Sequence, residues 1–258
     1  MASRMGARVY MVNTLGDDVF GDTTVKNFQE QGIDTSFVSR VAGASGVAPI
    51  WVEPNGTNRI ICVPGANNEM TTAQATAAIN ELKNAKVVIG QLEIPQDVTI
   101  AAFKAARAAG ITTILNPAPF APLKKELIEV SDWIIPNETE FAGLNPEGLL
   151  PESDNEISKV AKLLGCNFVV TLGEKGAAYT DQNGTVIRVS APKVNAIDTT
   201  GAGDAFVGAF AFGIASGMEL EKAVALGCAC ASDSVTKKGT QSSYPSREIA
   251  SGLLASFS

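Results

Sequence analysis

Lys86-Val87-Val88-Ile89-Gly90-Gln91 is a run of strand length that is apolar on both faces; Pro95–Ala109 after it reads as a helix, and Thr112–Leu115 as a second strand. A strand with two apolar faces has to be covered on both sides, which is the situation of a parallel sheet flanked by helices. Asn167-Phe168-Val169-Val170-Thr171-Leu172 has the same character. Working outward, strand-like runs recur at Arg8–Val12, Val47–Val52, Arg59–Val63, Trp133–Ile135, Phe168–Thr171 and Val186–Val189. Helix-like stretches lie at Ser153–Leu164 and Ala202–Ala215. This alternation predicts an α/β chain with a mostly parallel sheet. Residues 47–63 read differently, as two strands around Pro54-Asn55-Gly56. Such a hairpin in a parallel α/β chain often serves as a flap or lid. No repeat or linker interrupts the chain, so 1–258 is read as one domain with the hairpin at about 47–63 appended. Met1–Gly6 reads as the last turn of a helix leading into a strand.

The chain has 258 residues, 45% hydrophobic and 18% charged, enough apolar material for a sizeable core. Its net charge of −7 and pI of about 4.8 repel phosphate backbones and anionic lipid, which argues against nucleic acid or membrane as a partner. A nucleotide would need a locally built pocket of backbone amides. No apolar run approaches the roughly 18 residues that span a bilayer, and no signal-peptide core opens the chain, so the cytoplasm is the expected location. Cys62, Cys166, Cys228 and Cys230 are read as buried free thiols in a reducing compartment. There is no histidine, so any acid–base chemistry falls to Asp, Glu, Lys, Tyr or Cys.

The segment with most chemical content is Asp198-Thr199-Thr200-Gly201-Ala202-Gly203-Asp204-Ala205-Phe206, followed directly by an apolar helical stretch. Glycines at a helix start leave N–H groups unobstructed, and a helix N-terminus is an anion site. Phosphoryl transfer needs such a site for the charge on the phosphoryl oxygens and a base beside the attacking hydroxyl. Gly201, Ala202 and Gly203 suit the first need and Asp204 the second. The plainer reading is that Asp204 complements the helix dipole. Neither a dinucleotide fingerprint nor a phosphate-binding G-x-x-x-x-G-K-[ST] loop is present.

Two further segments follow strands. Thr171-Leu172-Gly173-Glu174-Lys175-Gly176 is a Gly-containing loop at a strand's carboxyl end, where open α/β sheets bind ligands, or else a plain hairpin turn. Asn137-Glu138-Thr139-Glu140 supplies an amide and two carboxylates at a helix start, or else a capping box.

Together and in this order these segments resemble the ribokinase-like family, also called the PfkB carbohydrate kinase family. The D-T-T-G-A-G-D-A-F run is similar to its C-terminal signature, N-E-T-E to its N-x-x-E motif and T-L-G-E-K-G to its ATP loop. Asn116-Pro117-Ala118-Pro119 and Thr236–Gln241 resemble its ribose-phosphorylating branch. The resemblance implies a three-layer α/β/α sandwich with a small β lid, and transfer of the ATP γ-phosphate to D-ribose to give ribose 5-phosphate. Asp204 would be the base and Gly201–Gly203 the anion hole. Thr171, Leu172, Gly173, Glu174, Lys175 and Gly176 would line the nucleotide, with Asn137 contacting it. Glu140 would help to place Mg²⁺ through water. Glu93 would touch the sugar, and Cys228 would lie near the adenine. Asp198, Thr200, Ser234, Lys237, Gly239 and Ser243 would form a site for a monovalent cation of the K⁺ type, several of them through carbonyl oxygens.

Members of the family begin with a strand, lid segments and a helix that have no counterpart before Met1, about fifty residues, somewhat more than a βαβ unit. The resemblance therefore implies a partial lid, fewer sugar partners, and doubt over the family's lid-paired homodimer. It also leaves open an impaired nucleotide-binding product, or a different sugar, as alternatives to an active ribose kinase.

Overall fold

The computed structural model describes residues 1–52 and 58–257. In chain order the elements are β1 (Tyr10–Gly16), α1 (Val19–Glu30), β2 (Asp34–Val41), β3 (Ile50–Val52), β4 (Asn58–Ile60), α2 (Thr72–Glu81), β5 (Val87–Gly90), α3 (Gln96–Ala108), β6 (Thr112–Leu115), α4 (Lys125–Glu129), β7 (Trp133–Ile134), α5 (Glu138–Leu144), α6 (Asp154–Leu164), β8 (Asn167–Thr171), β9 (Ala177–Thr180), β10 (Val186–Val189), α7 (Ala202–Ala215), α8 (Leu220–Ser234) and α9 (Arg247–Ala255).

The central sheet runs β10-β9-β8-β7-β6-β5. Strands β5 to β8 are parallel, and β9 and β10 are added antiparallel. Side chains alternate across a strand, and here each alternate set meets its own layer of helices. Leu115, Ile134, Phe168 and Val170 point to α3, α4, α5 and α6, packing on Phe103, Leu127, Phe141, Ile157 and Val160. Ile114, Ile135, Val169 and Tyr179 point the other way and pack on Phe206, Val207 and Phe210 of α7 and Ala223 and Val224 of α8. Helices on both faces make the predicted α/β/α layering. They also explain why the β5 and β8 runs are apolar throughout.

Ends are set locally. Asn137 and Thr71 close capping boxes with Glu140 and Gln74, and Ser153 and Ser246 cap α6 and α9. At the chain start Ala2–Met5 is one 3₁₀ turn closed by Gly6 at φ 98°, which bears out the helix-end reading there.

Residues 8–41 differ from expectation. The strand is Tyr10–Gly16 rather than Arg8–Val12, and α1 and β2 follow as an unanticipated parallel pair with its helix. Asn13 and Thr14 interrupt the apolar run, but buried Thr14 meets Ser39 across the pair with hydroxyls 2.9 Å apart. Helix α1 exposes Val19 and Phe20 at 70% and 59%, so its apolar positions trace no buried stripe. The hairpin is present, with β3 and β4 antiparallel and Val47 bridged to Val63. Its turn, Pro54-Asn55-Gly56, lies outside the described residues. The cysteines are all free, but only Cys228 and Cys230 are buried; Cys62 is exposed, because it follows the open hairpin strand β4.

Candidate active site

The parallel strands β5, β6, β7 and β8 all finish at one end of the sheet, and the loops leaving them carry the predicted residues, as expected for an open α/β sheet. After β5 comes Glu93, whose carbonyl accepts from Asn67 Nδ2 at 3.1 Å and which keeps solvent exposure although its carboxyl is partly desolvated. Asn116 after β6 is 8% exposed and donates from Nδ2 to the Ile135 carbonyl at 2.9 Å, tying the β6 and β7 exits together. The Thr171 N–H donates to the Pro136 carbonyl at 2.9 Å and so holds the β8 exit beside Asn137.

Asn137 and Glu140 form a complete capping box. The Asn137 N–H and Nδ2 donate to the two Glu140 carboxylate oxygens at 2.8 and 3.0 Å, and the Glu140 N–H donates to Asn137 Oδ1 at 2.9 Å. The structural alternative for this segment is therefore realised, without excluding a ligand role for the outer lone pairs. The segment 171–176 is likewise a hairpin connection as well as a strand-end loop, since β8 and β9 pair across it. Its Gly173, Glu174 and Lys175 are exposed, whereas Leu172 is buried in the core. Gly176 sits at φ 98°, and a Cβ there would lie 2.0 Å from the Val189 carbonyl oxygen.

Opposite these exits, α7 starts at Gly201 in the left-handed region, φ 78°. A Cβ on Gly201 would meet Thr240 Cα and the Tyr244 ring, each at 3.3 Å, so Tyr244 backs the turn. A Cβ on Gly203 would meet nothing within 4 Å, which leaves the first turn of α7 open to a ligand. Asp204 lies on that same open turn. The residue keeps solvent exposure, and partial desolvation by the neighbouring protein pushes its carboxyl pKa up. Glu93 and Glu140 are also pushed up, first by burial and then by the charge of Asp204. Glu93 and Glu140, on two different segments, thus both sense the charge of Asp204. Tyr244 is pushed up as well, by burial and then by Asp204.

The proposed cation residues fall on two loops that meet. Asp198 Oδ1 accepts from the Thr200 N–H at 3.0 Å and its hydroxyl at 2.6 Å, while Oδ2 accepts from the Gly239 N–H at 2.9 Å. These bonds, the Thr200 hydroxyl first, hold the Asp198 carboxyl below its usual value. Ser243, 1% exposed, donates to the Thr240 carbonyl at 2.7 Å and keeps its own lone pairs. Ser234 donates to the Ala231 carbonyl, and the Lys237 ammonium pairs with Asp233 at 2.5 Å, away from Asp198. Ser234 and Lys237 can therefore contribute backbone oxygens, and Lys237 does not oppose a cation. Asp198, Ser243 and the loop carbonyls are hard oxygen donors that fit a monovalent cation. For Mg²⁺ the fit is looser: among the described residues no three His, Cys, Asp or Glu side chains converge as a metal cage. Such an ion would rest chiefly on nucleotide phosphates and water, with Glu140 beyond the water.

Cys228 is 3% exposed in the core beside Phe206, and burial pushes its thiol up to about 12. Sequence reading missed Tyr244 and Arg4. Arg4 donates to the Tyr244 and Gln241 carbonyls at 2.8 and 2.9 Å and to Gln31 Oε1 at 2.9 Å, clamping the loop behind Gly201. No local signal marks a contact between residues 240 positions apart.

Residues 1–247 match the pfkB family carbohydrate kinase. The deoxyribokinase of Salmonella typhi is 38% identical over 253 residues, covering 96% of this chain and 82% of that protein. The ribokinase of Bacillus subtilis is 36% identical over 255 residues, covering 98% and 84%. Among solved structures, Arabidopsis thaliana ribokinase complexed with ribose and ATP aligns with a TM-score of 0.88 at 31% identity, covering 98% of this chain and 84% of that one.

Proposed function

We propose that this chain, which belongs to the pfkB family of carbohydrate kinases, transfers the γ-phosphoryl group of ATP to D-ribose and forms ribose 5-phosphate. It is a sugar kinase on the ribokinase-like α/β fold. The observation that supports the finer reading is Asp204 on the open first turn of α7, with its charge felt by Glu93 and Glu140.

In this reading the Asp204 carboxylate takes the proton of the sugar 5-hydroxyl as its oxygen attacks the γ-phosphorus. The bond from that phosphorus to the β,γ-bridging oxygen breaks and ADP departs. The N–H groups of Gly201 and Gly203, together with that of Ala202, which in the unliganded turn donates to the Thr199 carbonyl at 3.3 Å, stabilise the charge spread over the transferring oxygens. Glu93 accepts from a sugar hydroxyl. Thr171–Gly176 and Asn137 line the nucleotide, and the hairpin at 47–63 covers the sugar. Mg²⁺, held by phosphates and water near Glu140, supplies charge neutralisation when bound. Asp198, Ser243 and the loop carbonyls would hold K⁺, which would supply positive charge beside the anion hole.

The test is ADP release by the 258-residue chain with ribose, 2-deoxyribose and fructose, beside Asp204→Asn. Ribose-dependent turnover abolished in the variant supports the reading. Preference for 2-deoxyribose would move the substrate toward that of the Salmonella relative. A folded chain with no turnover on any sugar would refute catalysis.

A further inference from the structure

The hairpin of β3 and β4 forms a two-stranded sheet of its own, joined to neither the central sheet nor the β1–β2 pair. Its direction is therefore set at its two feet, the segments on either side of the bridge between Val47 and Val63. The feet are tied to each other. Val47 and Val63 exchange N–H to carbonyl bonds at 2.9 Å, and the Ala66 N–H donates to the Ala44 carbonyl at 2.9 Å. They are also pressed together, since a Cβ on Gly46 would lie 2.7 Å from the Pro64 carbonyl oxygen.

Asp18, in the turn between β1 and α1, holds these feet to the body of the molecule. Its Oδ1 caps α1 by accepting the Gly21 N–H at 2.8 Å, and it also accepts the Ser45 hydroxyl at 2.6 Å. Its Oδ2 accepts the Ser45 N–H at 2.8 Å. Ser45 is 4% exposed and in turn accepts the Gly16 N–H at 3.0 Å. The backbones meet here, because a Cβ on Gly16 would lie 2.3 Å from the Ser45 nitrogen. From the second foot, Asn67 Nδ2 donates to the Glu93 carbonyl at 3.1 Å. A helix cap needs one side-chain oxygen. The rest of the Asp18 bonding goes to Ser45, at the root of the hairpin.

We infer that Asp18 is a positioning residue for the sugar, acting through Ser45 to fix the hairpin and the Glu93 loop against the body of the protein. The inference rests on the sugar-kinase reading above and adds to it a residue outside the phosphoryl-transfer site.

Asp18→Asn separates the two tasks of this carboxylate. Asparagine caps a helix as well as aspartate does, so α1 keeps its cap. The amide nitrogen that replaces Oδ2 is a donor, so the Ser45 N–H loses its acceptor. Kinetics are measured with whichever sugar the parent chain phosphorylates best. The KM for that sugar should rise about tenfold, with kcat and the KM for ATP within about twofold, because positioning is lost and chemistry is not. Hydrogen exchange should accelerate at the Ser45, Val47 and Val63 amides and not in α1 or the central sheet. Ser45→Ala, which removes the hydroxyl bond, should move the same readouts in the same direction. Circular dichroism and Tm of each variant check folding.

An unchanged sugar KM in either variant, an equal rise in the KM for ATP, or hairpin amides that exchange as in the parent would overturn the inference. So would two variants that both fail to fold, since the junction would then be structural only. A parent chain with no turnover on any sugar would instead sink the sugar-kinase reading, and this inference with it.

Discussion

The Gly239 N–H donates to Oδ2 of Asp198 at 2.9 Å, joining two loops 41 residues apart immediately beside the start of α7. The same carboxylate holds Thr200 with its other oxygen. Asp198 therefore fixes the turn that delivers Gly201 to its left-handed conformation, with Tyr244 behind it. Positioning of this kind, rather than added chemistry, is what a phosphoryl-transfer site asks of its scaffold.

Asp198→Ala is expected to loosen this junction and weaken the response to K⁺. Rates measured in K⁺ and in Na⁺ should differ in the parent chain and converge in the variant. An undiminished K⁺ effect would remove Asp198 from the cation site.

Asp204→Asn should lower kcat by 10² to 10⁴, the usual contribution of a positioned base. It should also raise Tm slightly, because partial desolvation makes the charged carboxyl of Asp204 costly and the amide removes that charge, while the residue's remaining exposure keeps the effect small. Loss of both activity and stability would point to a structural role instead.

The pH dependence follows from the same shift. Asp204, Glu93 and Glu140 bind their protons more tightly folded than unfolded. Their contribution to stability is thus full below the ordinary carboxyl range, about pH 4, and is lost as pH rises through their raised values. Asp198 has the opposite sign, stabilising above that range and losing its effect as pH falls through its lowered value. The Tm advantage of Asp204→Asn over the parent should accordingly grow with pH and then level off. The acid limb of the kcat/KM profile should sit above the range of an ordinary aspartate. A pH-independent difference in Tm would contradict the shift.

Gly201→Ala and Gly203→Ala should separate stability from activity. At Gly201 a Cβ is both strained, by about 1–2 kcal/mol, and crowded against Tyr244. At Gly203 the Cβ meets open space and a helical Ala is favoured by up to about 1 kcal/mol. Chemical denaturation should show Gly201→Ala destabilised and Gly203→Ala at least as stable as the parent, while both lose turnover. An active Gly203→Ala would mean that the open turn is not where the phosphoryl group sits.

Asn137→Ala should cost about 1 kcal/mol from the lost cap of α5 and also raise the KM for ATP. The stability loss without the KM change would leave this motif as a capping box alone.

The sequence by itself determined the layered α/β scaffold, because runs such as Val87–Gly90 and Phe168–Val170 carry their two-sided burial in local composition. It also determined that Gly201–Asp204 opens a helix, since glycine and helix-start chemistry act over a few residues. Where polar residues break the pattern, as at Asn13 and Thr14, the strand became legible only once Ser39 supplied the partner. The tertiary structure alone decided that Tyr244 backs Gly201, that Arg4 clamps the loop at Gln241 and Tyr244, and that Cys228 turns into the core beside Phe206. Each of these depends on which segments come to lie side by side. Short-range periodicity and capping are written along the chain, whereas contacts between positions far apart are selected only when the layers close on one another.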